Sequence, residues 1–393
     1  MRRRPGATRR PRHAPAHPEN TVRPEPEWTL SGALPAVSIK GMDDSDRARL
    51  RSAGQQFSAA NTYLNTATHG LTPHRALRAL ERHTHEVASG RFSPADTDPR
   101  IEGVRAAYAR MAGVSADRVA IGSHVAQLVG TVAAGLAPGS EVLLAREEFT
   151  SVTFPFLARQ KDGVRVREVP LAHLPEEVGP GTALVAVSAV QSIDGALAPL
   201  RDLTRACADH GARLLVDTTQ SAGWLPLDAD RIDYTVCSTF KWLLGTRGAA
   251  LLTGTTEALS ALGPQAANWY AGGDRWDSLY GGPLRLADQA RRLDLPPVWS
   301  AWICLEESLA LLEEVGVETV GEHDAALGDR FREAMDMEPA GSAIVSLPVS
   351  EDAKERAARA GIVTAVRDGR MRAAFHLYND ESDVDRLVKA LKG

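Results

Sequence analysis

The chain has 393 residues, with 45 Lys and Arg against 50 Asp and Glu, a formal net charge of −5 and a hydrophobic content of 44%. That length exceeds one average domain and can bury a large core, while the mild acidity gives no reason to expect nucleic acid as a partner. Its three cysteines, Cys207, Cys237 and Cys304, are too far apart for a disulfide framework or a zinc site, which suits a reducing cytoplasm, and no apolar run approaches the roughly 18–20 residues that cross a membrane.

Residues 1–41 carry Arg2, Arg3, Arg4, Arg9, Arg10 and Arg12 among prolines, with neither helix nor strand period. No apolar stretch follows the arginine pairs, as an export signal would require, so the segment reads as a disordered tail. A more regular pattern opens at Met42, an alternative start of the chain. Residues 42–72 read as an N-terminal segment packing on a small C-terminal domain. From about residue 73, helical patterns (73–88, 101–112, 124–136, 199–210) alternate with apolar runs at 118–121, 141–145, 183–188, 213–217, 232–237 and 248–253. Continuous apolar runs separated by helices predict an α/β fold, with a mostly parallel sheet covered on both faces. This large domain is expected over 73–297. Residues 298–393 predict a smaller α+β domain: two long helices at 298–335, a strand at 342–347, a helix at 351–360, strands at 362–366 and 370–375, and a closing helix at 381–391.

Several strand ends carry chemistry. Gly122-Ser123-His124 lies between an apolar run and a helix, where free N–H groups and the helix dipole can hold an anion; a plain βα turn with a Ser or His cap fits equally. Phe149 follows the run 141–145, where an aromatic face can stack on a planar ring or simply fill the core. Asp217 ends the run 213–217, and ligands of parallel sheets bind beyond strand carboxyl ends. A buried carboxylate there needs a cation or donors; a protonated pyridine nitrogen or local turn amides would serve. Lys241 follows the run 232–237 between Phe240 and Trp242. Desolvation can lower its amine pKa and favour Schiff-base chemistry, although a surface lysine at a strand end reads the same way locally.

Taken in order, these positions resemble the class V aminotransferase family, the fold-type I pyridoxal-phosphate enzymes that include cysteine desulfurases, kynureninase-like and isopenicillin N epimerase-like proteins. The resemblance runs from about Tyr63 to Leu391. Tyr63-Leu64-Asn65-Thr66-Ala67 is similar to the opening strand, and Gly122-Ser123-His124 to the phosphate turn. Glu148-Phe149 with Pro155-Phe156 resembles the segment that stacks on the cofactor. Val187 to Gln191, followed by Gly195 and Pro199, resembles the strand end bearing an amide beside the phenolic oxygen. Asp217 with Gln220-Ser221 resembles the family's Asp-x-x-Gln-Ser, and Ser238-Thr239-Phe240-Lys241-Trp242 with Gly245 and Gly248 the lysine motif. Met371-Arg372 through Asn379 is similar to the C-terminal signature whose arginine binds the substrate carboxylate. The resemblance implies a seven-stranded-type sheet in the large domain, with pyridoxal 5'-phosphate on Lys241 and Asp217 at the pyridine nitrogen. It implies cofactor contacts from Gly122, Ser123, His124, Phe149, Gln191, Gln220, Ser238 and Phe240. Arg372, with Arg367 as a second anion contact or a solvated charge, would bind an amino-acid substrate. It further implies a cytoplasmic homodimer acting at Cα of that amino acid through an external aldimine.

The chain also departs from the family. Its last cysteine is Cys304, so no thiol precedes Arg372 on a nearby loop, and persulfide-type desulfuration is disfavoured. Asp294-Leu295-Pro296-Pro297 stands near where relatives often carry a Gly-Thr that reaches the partner subunit's phosphate, His124-Val125 where they usually carry Thr-Glu, and Phe240 where desulfurases usually carry His. The expected activity is therefore aminotransferase, with a C–S (β-elimination) lyase or an epimerase as the alternative. A cofactor-binding regulator without turnover would not need Lys241, Asp217 and Arg372 together. Residues 265–283, rich in Gly with Trp269, Tyr270, Trp276 and Tyr280, read either as a substrate loop near a subunit boundary or as a structural loop.

Overall fold

A computed structural model of the chain describes residues 42–393, so the tail expected at 1–41 lies outside the described residues. Among the described residues there are twelve strands: β1 (Thr62–Tyr63), β2 (Val119–Gly122), β3 (Glu141–Ala145), β4 (Arg165–Val169), β5 (Thr182–Ser188), β6 (Arg213–Asp217), β7 (Tyr234–Ser238), β8 (Ala250–Gly254), β9 (Ile344–Pro348), β10 (Ile362–Val363), β11 (Ala365–Arg367) and β12 (Arg370–Ala374). Seven make one sheet in the order β2-β8-β7-β6-β5-β3-β4. Strands β3 to β7 run parallel, and β8 is antiparallel to both of its neighbours. Strand β2 therefore points the same way as β7, and the carboxyl ends of β2, β3, β5, β6 and β7 share one edge.

Side-chain alternation explains why these runs are apolar throughout. Val142 and Leu144 of β3 enter one core with Leu184, Ala186, Leu215 and the helix Val125–Ala134. Leu143 and Ala145 enter another, with Val185, Val187, Leu214 and the helix Leu200–His210. A strand buried on both faces has no polar side. Strand β4 carries no such run: Arg165 and Glu168 are exposed and Arg167 half-buried, because it is an edge strand. The sequence pattern gave no sign of it.

The helices Trp299–Val315 and Val317–Ala334 follow, as the periodicity of 298–335 predicts. The antiparallel sheet β11-β12-β9 and the pair β1-β10 lie beyond them. The run expected as one strand at 362–366 is split between β10 and β11, which belong to different sheets. The expected opening strand at 63–67 shrinks to β1 and an isolated bridge from Asn65 to Ala374. The chain from Thr66 onward turns instead towards the edge of the large sheet, where Gly70 N–H donates to the Phe240 carbonyl at 3.0 Å. No described helix is long and apolar enough to cross a membrane.

The irregular stretch after Gly263 is stapled by buried charge. Arg105, from the helix Pro94–Ala112, is 2% exposed and pairs at 2.7 Å with Asp294, 1% exposed, which also accepts Ile121 N–H at 2.9 Å. Tyr270 donates to Asp98 at 3.0 Å, and Arg275 lies 4.0 Å from the Tyr270 ring centroid. Asp294 thus joins the loop to β2 just ahead of Gly122.

Candidate active site

Strands β2, β3, β5, β6 and β7 each deliver one or more site residues to the common edge. After β2 comes Gly122-Ser123-His124, leading into the helix Val125–Ala134, whose first residue has no side-chain cap. A β-carbon on Gly122 would meet Leu128 Cδ2 at 2.9 Å, so the turn packs closely on the helix and a larger residue would have to displace that side chain. After β3 comes Glu148-Phe149; after β5, Gln191; at the end of β6, Asp217; at the end of β7, Ser238 and then Phe240-Lys241.

Lys241 is 7% exposed. Burial is the largest influence on its amine and pulls the pKa down to about 8; Asp217 opposes this, while Arg372 and Arg247 add to it. Asp217 is 4% exposed and burial pushes its carboxyl up to about 6, against a hydrogen bond from Thr219 N–H at 2.8 Å. The Lys241 Nζ lies 5.3 Å from the Phe149 ring centroid and 5.9 Å from that of Phe240. Phe149 is 41% exposed, so its ring lines open space and is not core filling. Arg372, in β12, reaches the same place from the smaller sheet. It donates to the Ser192 carbonyl and, at 2.7 Å, to Thr68 Oγ1, while its buried Nε has no partner. Desolvation pulls its guanidinium down to about 10, and Arg367 adds to that.

Other candidates stand further back. Gln220 donates to the Ala67 carbonyl at 3.0 Å and accepts from Trp242 Nε1 at 2.8 Å, so its carboxamide braces the walls. Gln191 donates at 2.9 Å to Glu148, a buried carboxylate that also takes Ser188 N–H, Ser188 Oγ–H and Phe149 N–H. Arg367 is exposed and shares a sheet face with Arg372. Sequence reading passed over Thr68, the ring-stacked Arg247, whose Cζ lies 4.2 Å from the Phe240 centroid, and the anchoring role of Glu148. Thr68 and Glu148 act through folding contacts that leave no local pattern, whereas the basic Arg247 six residues after Lys241 was a visible signal. All three thiols are buried, and burial raises them to about 12 for Cys207 and Cys237 and about 11 for Cys304.

These residues suit pyridoxal phosphate. A buried amine with lowered basicity favours imine chemistry, a buried acid held by no salt bridge among the described residues suits a protonated ring nitrogen, and a guanidinium with an orphaned Nε suits a carboxylate. No cluster of His, Cys, Asp and Glu among the described residues could hold a metal ion.

Known proteins agree. An uncharacterized aminotransferase of Bacillus subtilis (strain 168), YcbU, is 26% identical over 74% of this chain and 82% of its own. A probable cysteine desulfurase of Aeropyrum pernix is 25% identical over 87% of this chain and 96% of its own. Among solved structures, the Escherichia coli cysteine desulfurase CsdA superposes with a TM-score of 0.76 at 21% identity, covering 87% of this chain and 97% of that one. The cystine C–S lyase C-DES, solved with its product cysteine persulfide, gives 0.76 at 23% identity over 85% and 97%. The family profile for class-V aminotransferases matches residues 62–353. The chain therefore belongs to the class-V aminotransferase family, as a pyridoxal-phosphate-dependent enzyme.

Proposed function

We propose that the protein is an aminotransferase acting on an α-amino acid, with Lys241 as its cofactor-bearing base. The observation that carries this reading is the buried Lys241 amine, lowered to about 8, which feels both the Asp217 carboxyl and the Arg372 guanidinium with its unpartnered Nε. Pyridoxal phosphate supplies, when bound, the electron sink that makes a bond at Cα labile. Lys241 Nζ would hold the cofactor, and its amine is the group that would take and return the proton at Cα. Asp217 would hold a proton at the ring nitrogen. Arg372 grips the α-carboxylate through its planar fork and so orients the Cα bonds. Phe149 would hold the cofactor ring by stacking, Gln191 would contact its phenolic oxygen, and Gly122, Ser123, His124 and Ser238 would receive its phosphate. Phe240 packs beside the lysine, Gln220 braces the wall, and Arg367 adds positive charge behind Arg372.

The burial of Cys207, Cys237 and Cys304 supports chemistry that ends at carbon, because a thiol raised to 11 or 12 by burial is a poor nucleophile. The second reading, a C–S lyase or epimerase, uses the same proton removal, and its lyase form draws support from the relatives named as cysteine desulfurases. We also propose a cytoplasmic homodimer, with residues 73–297 and 298–393 as its large and small domains. The exposed Trp276, Leu279, Tyr280 and Leu284 supply an apolar contact.

The test is to incubate the holoenzyme with a panel of L-amino acids. Appearance of a 2-oxo acid together with the amine form of the cofactor supports amino transfer. Ammonia and a 2-oxo acid without an acceptor would replace it with the lyase, and the D-isomer with the epimerase. Sulfide release that disappears in a Cys207→Ala/Cys237→Ala/Cys304→Ala variant would restore desulfuration.

A further inference from the structure

Four residues beyond Arg372, His376 is fully buried, and so is its partner Asp324 from the helix Val317–Ala334. His376 Nδ1 lies 2.8 Å from Asp324 Oδ2, and its Nε2 lies 3.1 Å from the carbonyl oxygen of Trp242. A carbonyl only accepts, so Nε2 carries a hydrogen, and the Nδ1···Oδ2 contact holds a second. The imidazole is further fixed by its own backbone, whose N–H donates to Asn379 Oδ1 at 3.0 Å, and by the Trp242 ring, 5.2 Å away between centroids.

The accepting carbonyl belongs to the residue after Lys241. The chain turns there: Leu244 N–H donates to the Lys241 carbonyl at 3.2 Å, and Leu244 sits at φ 57°, a conformation that an L side chain enters only at an energetic cost. Such a turn leaves the carbonyl of its second residue without a partner inside the turn, and a buried, unpaired carbonyl is unfavourable. His376 supplies the missing donor. Ser308 Oγ–H does the same for the Leu244 carbonyl at 2.9 Å.

We propose that His376, held by Asp324, is a positioning residue for Lys241: its Nε2–H on the Trp242 carbonyl fixes the strained turn from which the amine projects, and ties that turn to the strand segment that carries Arg372. This rests on Lys241 being the cofactor-bearing residue. The sequence of the C-terminal signature is thereby explained at a second position. Its arginine faces the substrate, and its histidine holds the far side of the lysine loop.

The test compares His376→Leu, which removes the donor, with His376→Gln, whose amide can reach the same carbonyl. In His376→Leu holoenzyme, kcat is expected to fall about tenfold or more while KM stays within about threefold, because the amine is misplaced and Arg372 is untouched. The pH midpoint of the bound cofactor's visible absorbance should move as well, and His376→Gln should restore most of both. If His376→Leu does not fold, Asp324→Asn/His376→Leu, which leaves no lone buried charge, carries the same comparison. A purely structural pair would lower the melting temperature and leave kcat and the absorbance midpoint unchanged; that result overturns the proposal, as does a glutamine variant no better than leucine. Lys241→Ala is run alongside. If it keeps the cofactor's imine absorbance, the reading of Lys241 itself falls; if it loses it while His376→Leu is silent, only the positioning role falls.

Discussion

The α-carbon of Gly70 packs so closely under Lys241 that a β-carbon added there would stand 2.0 Å from the Lys241 carbonyl oxygen. The oxygen belongs to rigid backbone, so a side chain at residue 70 can be accommodated only by moving the lysine loop. Gly70→Ala is expected to lower stability by about 2–3 kcal/mol and catalytic efficiency by about tenfold or more. Gly103→Ala is the control. It lies in a helix with open space around the added carbon and should stabilise by about 0.5–1 kcal/mol. Denaturant melts and steady-state kinetics of both decide it; a fully active, stable Gly70→Ala would refute the close fit.

Asp217 should carry opposite signs in stability and in catalysis. Its folded pKa of about 6 lies above the ordinary 3.8, so the native state holds the extra proton between those values. Stability of the cofactor-free protein therefore falls as pH rises through that window, and the penalty, on the order of 3 kcal/mol, is fully present above pH 6. Asp217→Asn removes it but also takes an anion from beside Lys241. We expect a net gain of about 1–2 kcal/mol at neutral pH that fades towards pH 4, with turnover of the holoenzyme down about 100-fold. Melting curves of the cofactor-free pair across pH 4 to 7 check the first half, and an Asp217→Asn enzyme with normal turnover would contradict the second.

Arg372→Lys keeps the charge but loses the planar fork and the bond to Thr68. Losing such a charge-assisted pair corresponds to about 2–3 kcal/mol, or roughly 30- to 150-fold in kcat/KM. The cofactor's absorbance should not change. Arg367→Lys, at an exposed position, should alter kcat/KM by less than about threefold. The reverse ranking in kinetic assays would mean that the substrate anchor is Arg367.

Breaking the Arg105–Asp294 pair from one side leaves the buried guanidinium only Glu102, a partly exposed carboxylate at 3.0 Å, as its ion partner. Asp294→Ala is expected to cost about 3–5 kcal/mol and to loosen the segment 268–293, seen as faster amide exchange. The double substitution Arg105→Met/Asp294→Leu should recover most of the loss. If Asp294→Ala melts like the parent protein, the staple carries no weight.

Much of this was written locally. The runs at 141–145 and 213–217 match β3 and β6 residue for residue, because strands buried on both faces must be apolar throughout. Asp217 and Lys241 could be picked out because a polar group placed directly after such a run marks a strand's carboxyl end. Strand β4 was hidden by its arginines, and the helix Thr150–Leu157 by its shortness and Pro155. The strand order, the antiparallel direction of β8 and the assignment of β10 and β11 to separate sheets follow from no periodicity. They depend on which edges find partners.

The site divides along the same line. Side-chain type and position after a strand are properties of a short segment, and they made Lys241 and Asp217 candidates, whereas Arg372 was named only through the family resemblance. Partners were another matter. Arg372 meets Thr68 across 304 residues, Gln220 meets Ala67 across 153 and His376 meets Trp242 across 134. Such contacts form only once packing has removed water from both groups, and it is that desolvation which brings the Lys241 amine to about 8 and the Asp217 carboxyl to about 6. The sequence by itself determined which groups can react; only the tertiary structure decided how strongly each is perturbed and what holds it in place, because both depend on the neighbours that burial supplies.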